Sequence, residues 1–371
     1  MTKPITIMHT EWSDGWGGQE IRILAESLAL IEKGYRVTIA AQPDSQLLSR
    51  ARDAHVPVLP IKMSKGLNLI AVAKLFSFIR KESVDIVHTH SSVDSRMAGI
   101  AGKLAGIKVV RSRHISIPVS KSKLTWFQYM VLADRLITSG EFIKETLVRE
   151  NQMLPDRIVS APAGVDENRF IPNGPHNLGR EALGLKNENF VVGMVSVLRS
   201  WKGHEFVIRA MSSLIEKIPN IHLLIVGDGP VREDIVNLIE QLSLQDYVTL
   251  TGHQVDPVPF YREMDVVILP SYAGEATSQT LPQAMLMNKP VISTNIGGLA
   301  EVVIDKKTGL VVQPKDNHSI NKAILEIFTD KNLREQIASS GREHALKNFT
   351  FSQMINTTEG VYLDLLNTGK T

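Results

Sequence analysis

What most constrains the fold of this 371-residue chain is a pair of alternating series. In the first, short apolar runs (Ile5–Met8, Arg36–Ala41, Val56–Ile61, Asp85–His88, Lys108–Arg111, Arg135–Thr138) alternate with segments of helical apolar spacing (21–31, 45–54, 67–81, 95–105, 141–150). Such alternation implies a parallel sheet with helices on both faces. It stops at Ala161–Leu178, which holds three prolines, two glycines and no apolar period, as interdomain linkers do. A second series then runs through 190–197, 221–226, 247–250, 266–269, 291–293 and 310–312. The tail, 349–366, is amphipathic at helical spacing. The pattern predicts an α/β protein of two tandem Rossmann-like, doubly wound domains facing across a cleft. Its parts are a first domain at 1–168, a linker at 169–188, a second domain at 189–348 and a C-terminal helix at 349–371.

The length suffices for two cores of ordinary size. Formal charge is +2 overall but uneven: residues 1–170 carry 23 Lys and Arg against 17 Asp and Glu, and the rest carry 18 against 22. A basic first half suits an anionic partner or a membrane surface, or is simply a solvated face. The excess is too modest, and recognition motifs too absent, for a nucleic-acid binder. The chain has no cysteine, which removes disulfides, thiolate nucleophiles and Cys-bound zinc and fits a reducing compartment. The start, MTKPITIMHTEW, lacks a signal-peptide core, and no apolar run approaches the ~18 residues of a spanning helix. The expectation is a cytoplasmic protein, soluble or peripheral on the inner membrane face.

Chemistry concentrates where apolar strands open onto helices. In LPSYAGEATSQTLPQAMLMNKPVISTNIGGLA, residues 269–300, a strand runs into a polar loop carrying Glu275, then a short helix, a second strand and Gly297-Gly298. Helix N-termini suit phosphates, and a carboxylate suits sugar hydroxyls. The two side by side describe a nucleotide-sugar site. Arg199 and Lys202, after the first strand of the second series and before a helix, could clamp a diphosphate or be solvated loop cations. Gly227-Asp228-Gly229-Pro230 departs from the dinucleotide fingerprint, since position 232 is Arg, and reads better as a structural turn. Gly17-Gly18 after the first strand would let backbone N–H groups approach phosphate, or mark a flexible loop. His88-Thr89-His90 has a metal-binding spacing but no evident third and fourth ligand, so no metal site is expected. His114 follows a strand end and would face the cleft. No Asp-x-Asp occurs, which favours neutralisation of a diphosphate by Arg199, Lys202 and helix dipoles over a bound cation. The 67–81 helix carries Lys74, Arg80 and Lys81, and Lys121, Lys123, Trp126, Phe127 and Tyr129 form a basic-aromatic cluster. Each is either ordinary packing or a lipid or acceptor contact.

Together these residues resemble the retaining nucleotide-sugar glycosyltransferases of family 4, which have the GT-B fold. The similarity runs through Gly17-Gly18, Ala133-Asp134-Arg135, Ala163-Gly164-Val165-Asp166, Lys202-Gly203, Gly227-x-Gly229-Pro230, Asp265–Ser271, Glu275–Met285, Pro290-Val291-Ile292 and Gly297-Gly298-x-x-Glu301. The resemblance implies that the second domain holds the donor, the first meets the acceptor, and the final helix crosses back to the first. It implies Glu275, Lys202 and His114 at the reacting centre. Donor contacts would be Gly17, Gly18, Arg199, Lys202, Gly229, His253, Val255, Glu275, Thr280 and Gln283, and acceptor contacts His90 and His114. It implies no metal and no cofactor, the nucleotide sugar being a co-substrate. Two departures stand out. Gln283 replaces the second acid of the family's Glu-x7-Glu, and an uncharged amide oxygen would meet the ribose. Val197 replaces the usual Arg, for which Arg199 would substitute.

The expected activity is metal-independent transfer of a sugar, a hexose or similar, to a glycan or lipid-linked hydroxyl. It would be retaining and front-face, relying on positioning and charge stabilisation. The alternatives are a GT-B epimerase, a phosphorylase, or a degenerate member serving as a scaffold.

Overall fold

The computed structural model describes residues 3–174 and 178–367. The chain divides into two compact units, one formed by residues up to Pro162 with those from Met354 onward, the other by Ala163–Gln353.

The first unit is built on seven strands: β1 (Thr6–Glu11), β2 (Arg36–Ala41), β3 (Val58–Pro60), β4 (Ile86–Thr89), β5 (Lys108–Arg113), β6 (Arg135–Thr138) and β7 (Ile158–Ser160). They form a parallel sheet in the order β3-β2-β1-β4-β5-β6-β7. Neighbouring residues on a strand face opposite ways, and here both faces are apolar. Met8 and Ala40 join the core under helices 69–82 and 92–105, whereas Ile7 and Ile39 join cores on the other side. Burial on both faces is what an all-parallel sheet requires.

The second unit repeats the plan with β8 (Phe190–Val195), β9 (Ile221–Val226), β10 (Val248–Leu250), β11 (Val266–Leu269), β12 (Val291–Ser293) and β13 (Leu310–Val311). The order is β10-β9-β8-β11-β12-β13, all parallel. Ile268 packs in one core, and Val267 and Leu269 in the other. In both sheets the winding reverses beside the first strand, between β1 and β4 and between β8 and β11. Loops at the C-terminal ends of strands flanking such a reversal splay apart and leave a crevice for ligands.

Three parts of the chain differ from their sequence reading. The basic-aromatic cluster is a helix, Lys123–Met130, started by Ser122, whose hydroxyl accepts from the Thr125 N–H. The three-residue edge strand β7 has no periodic signal of its own. The stretch read as a linker at 169–188 contributes Phe170 and Leu185 to a core of the second unit; Pro175–Asn177 lie outside the described residues. The tail forms a helix, Phe351–Asn367, from which Val361, Tyr362 and Leu365 pack with Ile7, Ile86 and Ile137 in the first unit. Residues 368–371 of the expected tail lie outside the described residues. The apolar side of helix 69–82 (Val72, Leu75, Ile79) packs on its own sheet. Among the described residues no helix is long and apolar enough to cross a membrane.

Candidate active site

In the second unit the loops after β8, β11 and β12 converge. β8 leads through a single turn, Ser200–Lys202, to Gly203 and helix His204–Leu214. Gly203 has φ +81°, and a Cβ there would stand 2.4 Å from the Pro270 carbonyl oxygen. Only glycine lets the two loops approach this closely. The Tyr272 N–H donates to the Trp201 carbonyl (2.9 Å) and ties them together. The loop after β12 closes on the same place: Gly297, at φ +57°, lies against the Glu275 backbone, where a Cβ would meet the carbonyl oxygen at 2.3 Å.

The result is a nearly buried ion pair. Lys202 Nζ donates to Glu275 Oε1 at 2.6 Å, with side chains 16% and 5% exposed. The Ser271 hydroxyl donates to the same oxygen at 2.6 Å. Two residues 73 apart in sequence, expected to hold opposite parts of a nucleotide sugar, thus hold each other. Beneath them His204 is buried, its Nε2 3.1 Å from the Ser196 hydroxyl. Burial, with the Lys202 charge adding to it, pushes the His204 pKa down to about 4.

Of the other expected donor contacts, Arg199, Gly229 and Thr280 lie on or against the end of β8 and the loop that follows it. Arg199 lies over the Trp201 ring (5.1 Å to its centroid) and lines a cavity of about 480 Å³ with His204, Glu205, Arg209 and Tyr272. Gly229 packs against Leu198, where a Cβ would be 2.4 Å from the carbonyl oxygen, so this glycine serves a close loop contact. The Thr280 hydroxyl donates to the Val195 carbonyl at the end of β8 (2.8 Å). Gln283 Oε1 stands 3.0 Å from the Tyr261 hydroxyl, which is also 3.2 Å from the Thr280 carbonyl. One phenolic proton serves one acceptor fully. An amide at 283 can answer by donating its own NH2, which a carboxylate cannot do. His253 and Val255 are exposed on the loop after β10.

In the first unit Gly17-Gly18 open helix Gly18–Glu32, but the Gly17 N–H already donates to Glu20 Oε2 (2.9 Å), the one half of a capping box that a glycine can make. Glu11, at the end of β1, accepts from the Trp12 and Ser13 N–H groups (both 2.7 Å). Burial, with the neighbouring Asp94 charge, pushes the Glu11 pKa up to about 8. Asp94 itself is raised by burial while accepting from Thr10 (2.7 Å) and the His90 N–H (2.9 Å).

Beside these acids sits a histidine cluster that the sequence did not disclose. β1 and β4 pair in a register that places His9 next to His88, and His90 follows on the same face. His9 Nδ1 lies 2.9 Å from His90 Nε2, and His90 Nδ1 lies 2.9 Å from His114 Nε2. The rings are near-parallel, with centroids 5.2 Å apart at each step. His88 bonds the Tyr362 hydroxyl (2.6 Å) and the Ser112 hydroxyl (2.8 Å). Burial pushes the His9 pKa down to about 3, and those of His88, His90 and His114 well below the ordinary value. His90, expected at the acceptor, is 3% exposed with both ring nitrogens engaged, so in this conformation it reaches a ligand only through His114. His114, half-buried, is the outermost member.

Donor atoms of His9, Glu26, His88 and His90 lie within 4.8 Å of one another, a set that could surround a cation. The ring nitrogens of His88 and His90 are already hydrogen-bonded, however, and Arg22 supplies Glu26 with a positive partner (Nε–Oε1 2.7 Å). The set fits a metal only by giving those contacts up. His-x-His was visible in sequence; the sheet register that brings it to His9 was not.

The family model "Glycosyl transferases group 1" matches residues 177–344, and "Glycosyltransferase Family 4" matches 16–169. The chain is 27% identical to a D-inositol 3-phosphate glycosyltransferase of Stackebrandtia nassauensis, over 94% of this chain and 87% of that one. It is 28% identical to the UDP-Gal:alpha-D-GlcNAc-diphosphoundecaprenol alpha-1,3-galactosyltransferase of Escherichia coli, over 84% and 83%. Among solved structures, a glycosyltransferase from Rickettsia africae superposes with TM-score 0.86 at 23% identity, covering 98% of this chain and 99% of that one. Anabaena HepE in complex with UDP superposes with TM-score 0.84 at 22% identity, covering 97% and 100%. With both parts of the chain matched in order, and both folded as doubly wound parallel sheets, the chain belongs to the family 4 glycosyltransferases of GT-B fold.

Proposed function

We propose that the chain moves a sugar, with retention of configuration, from a nucleoside diphosphate donor held by the second unit to a hydroxyl of a glycan or lipid-linked acceptor met by the first. The observation that carries this reading is the Lys202–Glu275 pair. A pair so little exposed is poised for exchange. The diphosphate takes over the ammonium, and sugar hydroxyls donate to the carboxylate it releases. Either half of the donor alone leaves one partner of the pair buried and uncompensated. The relatives' names support the coarse chemistry, since one uses UDP-galactose, and HepE has been solved with UDP-glucose. Catalysis on this reading needs no protein nucleophile, no metal and no cofactor: the departing diphosphate takes the acceptor proton on the face it leaves, and Lys202 stabilises its growing charge. Leu124, Trp126 and Phe127, exposed beside Lys121 and Lys123, support a peripheral contact with an anionic membrane surface on the cytoplasmic side.

Calorimetric titration without metal against UDP-, GDP-, ADP-, dTDP- and CMP-linked sugars tests the donor site. One donor is expected to bind well ahead of the rest. Silence across the panel would leave a family member that no longer binds donor and acts as a scaffold. Glu275→Gln is expected to bind free UDP at least as well as the wild type. It should lose most of the added affinity for the sugar nucleotide, roughly 10-fold or more for a charged hydrogen bond. Parallel losses for UDP and its sugar conjugate would show that Glu275 does not hold the sugar.

A further inference from the structure

Three rings in series, His9, His90 and His114, are joined by two N···N contacts of 2.9 Å. A neutral imidazole carries one N–H and one lone pair. His90, in the middle, must therefore donate to one neighbour and accept from the other. The series has a direction, and its two ends are opposite in kind. An N–H at His9 Nε2 puts a lone pair at His114 Nδ1, and a lone pair at His9 Nε2 puts an N–H there.

The inner end decides which. His9 Nε2 is buried with no hydrogen-bond partner, and so is Glu26 Oε2. One ligand atom of His9 and one of Glu26 lie within 4.8 Å of each other, which places the two side chains in one buried cluster. Glu26 is fully buried, and its other oxygen accepts from Arg22 Nε at 2.7 Å. Arg22 is in turn fixed by donating from Nη1 to the Ala161 carbonyl (2.9 Å). A buried carboxylate is an acceptor only, and a charge-assisted bond from an imidazole N–H is among the stronger ones available to it. Arg22 Nη2 is also unpaired and makes no hydrogen bond with His9; were it to serve a lone pair on His9 Nε2 the series would run the other way, which the tautomer of His114 decides.

We propose that Glu26 and His9 are positioning residues that, through His90, hold the proton of His114 on Nε2, so that His114 presents a lone pair at Nδ1 to a substrate hydroxyl. The inference rests on the reading of His114 as a substrate contact, and it adds what that contact is: an acceptor for O–H, four side chains deep. The burial that keeps these histidines uncharged is what makes the series directional, since a doubly protonated ring would donate at both ends.

Selective 15N-histidine labelling, with His114 assigned by His114→Gln, reads the tautomer without any assay of activity. The wild type is expected to show His114 protonated at Nε2 and bare at Nδ1. Glu26→Gln and His9→Phe should each move it to the other tautomer or to a mixture. With acceptor and donor saturating, kcat of Glu26→Gln should fall on the order of 10- to 100-fold, by analogy with the loss of a partner that orients a metal-bound histidine, with the donor KM little changed. A wild-type His114 protonated at Nδ1 overturns the proposal, and so does a tautomer unmoved in both variants. A stoichiometric metal ion on the purified protein overturns it too, because His9 and Glu26 would then be ligands. The wild-type measurement needs no variant to fold. If the tautomer shifts as expected but no sugar nucleotide is turned over, the relay stands and the reading of the function falls.

Discussion

Lys202→Ala is expected to lower turnover by roughly 100- to 1,000-fold, the loss typical when one group facing a developing oxyanion is removed from a dry site. Lys202 is the cation that the geometry holds against Glu275, and Gly203 pins its loop to the end of β11. The variant carries a second consequence. It strands a carboxylate that is 5% exposed with Ser271 as its remaining hydrogen-bond partner, and breaking such a pair from one side costs ~3–5 kcal/mol. Thermal melts must therefore accompany the kinetics, and Lys202→Ala/Glu275→Gln separates the two effects. The double variant should recover stability and remain inactive. Near-normal turnover in folded Lys202→Ala would remove the lysine from the mechanism.

Acid should destabilise the protein well above the pH at which ordinary carboxylates titrate. The His9 pKa is depressed to about 3 and that of His204 to about 4, in both cases chiefly by burial, against the ordinary 6.5. The unfolded chain then binds protons that the native state refuses, so stability is full above about pH 6.5 and is lost as pH falls toward the folded values. Between pH 7 and 5 each of these two histidines removes roughly 2 kcal/mol. His88, His90 and His114 act in the same direction. Glu11 opposes them: raised to about 8, it contributes stability at low pH that is lost as pH rises through that value. His222, lowered to about 4 by burial, acts with the other histidines, and Asp94, raised by burial, acts with Glu11. Six histidines outweigh two acids, and the melting temperature should drop by many degrees from pH 7 to pH 5. A melting temperature that is flat or rising over that interval would mean the histidines are not held neutral in the native state.

How much of this was legible in the sequence follows from what burial does to composition. β2, β6, β9, β11 and β12 coincide with the apolar runs that predict them, because strands buried on both faces admit few polar residues. Helix Lys123–Met130 escaped because Leu124, Trp126 and Phe127 are exposed and leave no apolar period. Phe170 and Leu185 are core residues inside a stretch whose prolines and glycines spoke for a linker. In the second unit, the order of strand, loop and helix was enough to single out Lys202 and Glu275, but not that they bond each other. Arg199 was singled out with them, and it lines a cavity with His204 and Tyr272. His9 was passed over because a single histidine in a strand carries no signal of its own. Its meaning arises from a parallel register with His88, a fact about two strands about 80 residues apart.

The last helix has a consequence for how the chain is made. Val361, Tyr362 and Leu365 belong to the core of the first unit, and the Tyr362 hydroxyl bonds His88. The unit that leaves the ribosome first is therefore the last to be completed. At 5–20 residues per second its sheet waits on the order of 10 to 40 s, while the whole second unit is synthesised, with the apolar groove for that helix open to the cell. A chaperone that covers that groove, or a second unit that folds quickly enough to deliver the helix, shortens the time for which it is exposed.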